Sequence, residues 1–166
     1  MRLRITLAAG AALFLLALGS TPHAQAPASP PSPPPSPDYH PSMGDLMTMA
    51  VQPRHTKLGL AGARGNWTYA TYELAELRNA FARIARTIPI YGSTDTAAII
   101  DAMTRTPLAA LESAVKSADA QKFSSAYSQL TAACNACHAS QAHAMVVIKA
   151  PAESAYADQD FEPARR

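Results

Sequence analysis

The sequence predicts an all-α fold: four antiparallel helices with short loops, packed as an up-down bundle. Three observations predict it. Apolar residues recur at alternating steps of three and four through most of residues 43–137. Helix-capping residues, glycine and proline punctuate those runs. No stretch alternates apolar and polar residues convincingly enough to read as a strand.

The first 26 residues stand outside this pattern. Arg2 and Arg4 precede an apolar run over residues 5–18, and Ala24-Gln25-Ala26 follows. A charged start, an apolar stretch and a small-residue cleavage site read as a secretory signal peptide. The run is shorter than the ~20 residues a membrane-spanning helix needs. A signal that stays uncleaved as an anchor would equally imply export. Residues 27–42, "PASPPSPPPSPDYHPS", are proline with serine between. Proline fixes φ and lacks a donor, so this is an extended tether. Residues 43–150 form the expected helical domain and 151–166 a C-terminal tail. About 110 residues are enough for one domain.

The first helical segment, residues 43–63, puts Met43, Met47, Ala50, Val51, Leu58 and Ala61 on one face. Arg54 falls unexpectedly within that face, and Pro53 predicts a kink or an irregular turn. Gly65 suits a left-handed helix end and Asn66 the next N-cap. Trp67, Ala70, Leu74, Leu77, Phe81, Ile84 and Ile88 then mark the clearest helix, which Pro89 ends. Residues 94–118 carry Ile99, Ile100 and Met103, then Leu108, Leu111 and Val115. Thr106-Pro107 between them reads as a break or a restart. Asp119 caps the last helix, where Phe123, Ala126, Leu130, Ala133 and Cys137 face inward. "MVVIK" after it is a short apolar run that packs as a tail.

Charge excludes some functions. The chain has 14 basic and 12 acidic residues, and losing Arg2 and Arg4 with the signal balances them. No basic field points to nucleic acid, and no acidic tail points to a basic partner. There is no second long apolar stretch, so no stable membrane insertion is expected once the signal is cleaved.

The chemistry concentrates in Cys134-Asn135-Ala136-Cys137-His138, which holds both cysteines of the chain. Structural zinc wants four ligands, usually from paired clusters, and only one pair exists. A thioredoxin-like dithiol expects a βαβ context. A disulfide at this spacing is strained and leaves the histidine unexplained. Covalent haem c accounts for all three residues. Each thiol adds across one vinyl group, and the adjacent His138 becomes the proximal iron ligand. Export agrees, because c-type haem is attached on the outer side of the bacterial membrane.

In "FSSAYSQLTAACNACHASQ" and across roughly residues 43–143 the chain resembles the cytochrome c′ family, the class II c-type cytochromes. The family typically has an arginine four residues after the haem histidine. Ala142 stands there, with His143 beside it, as in a divergent branch. The resemblance implies that the first helix supplies the residue facing His138 across the haem. An apolar residue there leaves iron open to small gases, and a methionine closes the site for electron transfer. The resemblance also implies that Arg54 lies by a haem propionate, that Leu58 lies over the iron, and that a homodimer forms through the first two helices.

On the residues alone, Met47 offers a thioether on the inward face. Core filling is the commoner role of such a methionine. Met49 points nearly opposite. His55 lies about 80° from the Met47 direction, and Pro53 can alter that, so bis-histidine ligation stays open. His143 belongs to the proximal helix, His40 to the linker, and Trp67 and Tyr72 to helix packing. The expected function is periplasmic electron transfer with an unidentified redox partner protein. The alternative is a sensor or scavenger of nitric oxide or carbon monoxide. No acid–base constellation suggests an enzyme.

Overall fold

The computed structural model describes residues 39–165. The expected signal peptide, residues 1–26, and linker residues 27–38 lie outside them. The protein is all-α with very little strand. Ser42 opens the helical part with a reciprocal cap. Its Oγ accepts from the Asp45 amide at 3.1 Å, while Asp45 Oδ2 accepts from the Ser42 amide at 2.9 Å.

Helix α1, Met43–Leu46, runs into a π-helical turn, Met47–Val51, and then into α2, Gln52–Ala63. The irregularity expected at Pro53 is this widened turn. Pro53 has no amide to offer the Met49 carbonyl, and the Gln52 amide reaches back five residues to the Met47 carbonyl. Gly65 takes φ of +70° and the Asn66 side chain caps α3, Trp67–Thr87, as the sequence predicts.

A two-residue antiparallel pairing of Ile90–Tyr91 (β1) with Thr94–Asp95 (β2) follows. The sequence reading had no strand here, and a ladder this short leaves no alternation to detect. Helix α4, Thr96–Lys116, is continuous through Pro107, where the sequence suggested a break. Pro107 is buried among the packed helices, which hold the chain helical despite one lost hydrogen bond. Helix α5 spans Ala120–Ser140.

Helix α2 packs on α3, α3 on α4, α4 on α5, and α5 back on α2. The α2–α5 pair is antiparallel: His55 meets Thr131 and Tyr127, Gly59 lies against Tyr127, and Gly62 against Phe123. Leu58, Leu60, Leu77, Ile84, Leu111 and Leu130 are fully buried, and each contributes roughly 1.5–3 kcal/mol. Packing continues past residue 150. Phe161 is buried and stacks on Tyr69, Lys57 lies over the Tyr156 ring, and Arg64 pairs with Glu162. The segment drawn as a tail thus covers part of α2 and α3. No helix among the described residues is long and apolar enough to cross a membrane.

Candidate functional site

Several residues of the apolar stripes are only partly buried: Met47, Ile100, Met103, Cys134 and Cys137. They line two adjoining cavities of about 210 and 190 Å3. Met47, Thr48, Ile100, Cys137, His138 and Val146 border both, so the cavities are two lobes of one cleft. The π-helical turn supplies Met47, Thr48 and Val51, α4 supplies Ile100 and Met103, and α5 supplies both cysteines and His138. The widened turn therefore forms the wall opposite α5, a placement typical of π-bulges at functional sites.

The cleft is bordered by residues that the sequence reading took only as a packing tail. Beyond α5 the chain reverses at Ala142, whose φ of 61° is unusual for a non-glycine residue. It then returns as residues 146–149 along the cleft. Asn135, between the two cysteines, holds this segment with both ends of its amide. Its Nδ2 donates to the Ile148 carbonyl at 2.9 Å, and its Oδ1 accepts from the Ile148 amide at 2.7 Å. His138 Nδ1 lies 2.8 Å from the Val146 carbonyl. A carbonyl only accepts, so Nδ1 carries the proton and Nε2 keeps its lone pair.

Both thiols are free. Burial pushes the Cys134 thiol up to about 11, helped by Cys137, and burial also raises Cys137. Such thiols stay protonated at neutral pH, unlike those of a redox dithiol. Among the described residues no three His, Cys, Asp or Glu side chains converge as a zinc site would require.

His55 borders the first lobe but is 3% exposed and fully engaged. Thr131 Oγ1 donates to the Tyr127 carbonyl, so the contact at 3.0 Å makes His55 Nε2 the donor to Thr131. Tyr127 Oη lies 3.0 Å from His55 Nδ1 and 2.8 Å from the His55 carbonyl. Burial lowers the His55 pKa to about 4 and raises that of Tyr127.

Arg54 and Leu58 border neither lobe. Arg54 Nη1 lies 3.2 and 3.3 Å from the two oxygens of Glu73, and Nη2 lies 3.7 Å from Glu76. Leu58 is fully buried in the core. The resemblance expects Arg54 by a haem propionate and Leu58 over the iron; among the described residues Arg54 pairs with Glu73 and Glu76, and Leu58 packs in the core. Glu73, 1% exposed on α3, is what calls an arginine onto an apolar face. A glutamate on the buried side of α3 was the sequence signal for it. Met49 is exposed and points away, as expected. Trp67 packs edge-on against Phe123, and Tyr72 is exposed. His40 is exposed in the linker, and His143 borders the second lobe beside Tyr91.

Comparison with protein-family models, with curated proteins and with solved structures gives no match for this chain.

Proposed function

We propose that this chain is an exported c-type cytochrome, a periplasmic electron carrier with one covalent haem in the cleft of an up-down four-helix bundle. One observation carries the reading: Cys137, His138 and Met47 border one apolar cleft, and Cys134 borders its first lobe. The donor set fits the group. Two neutral thiols i and i+3 on a helix would each add S–H across a vinyl group, forming one S–C bond and passing the hydrogen to the neighbouring carbon. His138 keeps Nε2 available, and the Val146 carbonyl fixes its tautomer as partners of metal-bound histidines commonly do. When bound, haem iron supplies one-electron chemistry at a potential set by its axial ligands.

Met47 is favoured as sixth ligand over Leu58 and His55. Leu58 is in the core, and both His55 nitrogens already have partners. Val51, Phe81, Ile100 and Met103 give the cleft an apolar lining. A low-polarity cleft lined by both a thioether and an imidazole suits electron transfer better than gas binding. The protein as exported by its host is expected to keep a haem stain on a denaturing gel and to show a low-spin ferrous spectrum that resists carbon monoxide. Haem lost to acid acetone would overturn the cytochrome reading. A high-spin ferrous spectrum with rapid carbon monoxide binding would turn it to the gas-binding alternative.

A further inference from the structure

Residues 146–149 return beside α5 with little apolar burial to hold them. Met145, Val146 and Val147 are 78%, 46% and 62% exposed. Among the described residues, three hydrogen bonds tie this segment to α5. Two run through Asn135, whose amide grips the Ile148 carbonyl at 2.9 Å and the Ile148 amide at 2.7 Å. The third runs from His138 Nδ1 to the Val146 carbonyl at 2.8 Å. Asn135 and His138 stand three residues apart on α5, so they are neighbours on one face of the helix. Ile148 and Val146 meet them in the reverse order, as a chain running back along the helix requires. His138 is only half-buried, so water competes for its ring N–H. A carbonyl on a loose segment would lose that competition more often, because ordering the backbone each time costs entropy. The grip needs a side chain that donates and accepts at once. An amide does both, whereas a carboxylate only accepts.

We propose that Asn135 is a positioning residue for the iron ligand: through Ile148 it holds the Val146 carbonyl against His138 Nδ1 and so lowers the reduction potential. This rests on the cytochrome reading above. A carbonyl that accepts from Nδ1 makes the imidazole a stronger donor at Nε2. A stronger donor favours the ferric state, and the potential falls. Asn135 borders neither lobe, so its influence passes through the returning segment rather than through contact with the contents of the cleft.

The test uses purified holoprotein of the wild type, Asn135→Leu and Asn135→Ala. The leucine keeps the volume without either hydrogen bond, and the alanine makes the same deletion should the leucine variant not fold. Gly62→Ala, which strains the packing against Phe123 and touches neither lobe, is the control for general loosening. Haem stain is read first in every sample, then the reduction potential by spectroelectrochemical titration. Solvent exchange of the His138 ring N–H is read last, by NMR of the ferrous protein. The expected result is full stain in all, a higher potential with faster ring N–H exchange in the Asn135 variants, and wild-type values in Gly62→Ala. Stained Asn135 variants with unmoved potential and exchange overturn the positioning role and leave the cytochrome reading standing. So does an equal rise in Gly62→Ala. A potential that moves without faster exchange overturns the route through Val146. Asn135 variants that all lack haem, beside a stained wild type, overturn the proposal and assign Asn135 to attachment or folding. Absence of haem from the wild type overturns both readings.

Discussion

Removing the Arg54 guanidinium tests whether this residue serves the fold or the haem. In Arg54→Met, Glu73 stays 1% exposed on α3 and loses both charge-assisted contacts, at 3.2 and 3.3 Å. Breaking a fully buried pair from one side costs about 3–5 kcal/mol. Arg54 is 30% exposed, and Glu76 at 3.7 Å is a weak second contact. Solvent screening therefore brings the expected loss to about 2–3 kcal/mol. In a domain of this size 1 kcal/mol moves Tm by about 3–5 °C, so a fall of about 10 °C is expected. Arg54→Met with Glu73→Leu is expected to recover most of it, because replacing both partners by apolar groups is often neutral. Thermal melts of holoprotein by far-ultraviolet circular dichroism give the four corners of the cycle. A single variant that melts within about 2 °C of wild type while its haem spectrum changes would refute the reasoning and return Arg54 to the haem.

Further outcomes follow from the same geometry. The Cys134→Ala, Cys137→Ala double variant is expected to lose all gel haem stain, and a retained stain would exclude thioether attachment. Met47→Ala is expected to turn a low-spin ferrous spectrum high-spin, whereas His55→Ala is not; the reverse pattern would make His55 the ligand. Gly62→Ala places a Cβ into the Phe123 ring. Overpacking of about 1–3 kcal/mol is expected to exceed the roughly 1 kcal/mol gained in helix propensity, so chemical denaturation should show a net loss. His55 has its folded pKa lowered to about 4 from 6.5, so the unfolded chain binds the extra proton between those values. Stability is full above about pH 6.5 and falls as pH drops toward 4, by up to about 3 kcal/mol. Denaturant melts of wild type and His55→Asn should differ in that slope, and equal slopes would contradict the assignment.

The helices were legible because periodicity reports burial directly. Leu74, Leu77, Phe81 and Ile84 are all inside, as their spacing requires. The Asn66 and Asp119 caps follow from local chemistry that needs no tertiary context. Pro107 was misread because a proline's local cost is small beside the packing of a long apolar helix. The motif at Cys134, Cys137 and His138 was visible as spacing. Met43, Met47 and Val51 on the wall opposite were legible by their spacing too, whereas the π-helical form of that turn was not. Arg54 was assigned by family spacing alone. Its ion-pair partner Glu73 sits nineteen residues away on α3, a distance at which charge pairing leaves no periodic trace. Asn135 lay in plain view between the cysteines, but its role depends on where residues 146–149 return.

That return has a consequence in time. A chain is made from its N-terminus, so the cysteines emerge before the stretch that Asn135 and His138 later grip. Until Val146 and Ile148 arrive, one side of the groove is open and both sulfurs can be reached from outside. Once they dock, the doorway narrows and the thiols are shielded. Undocking residues 146–149 would therefore widen that side of the cleft without moving a helix.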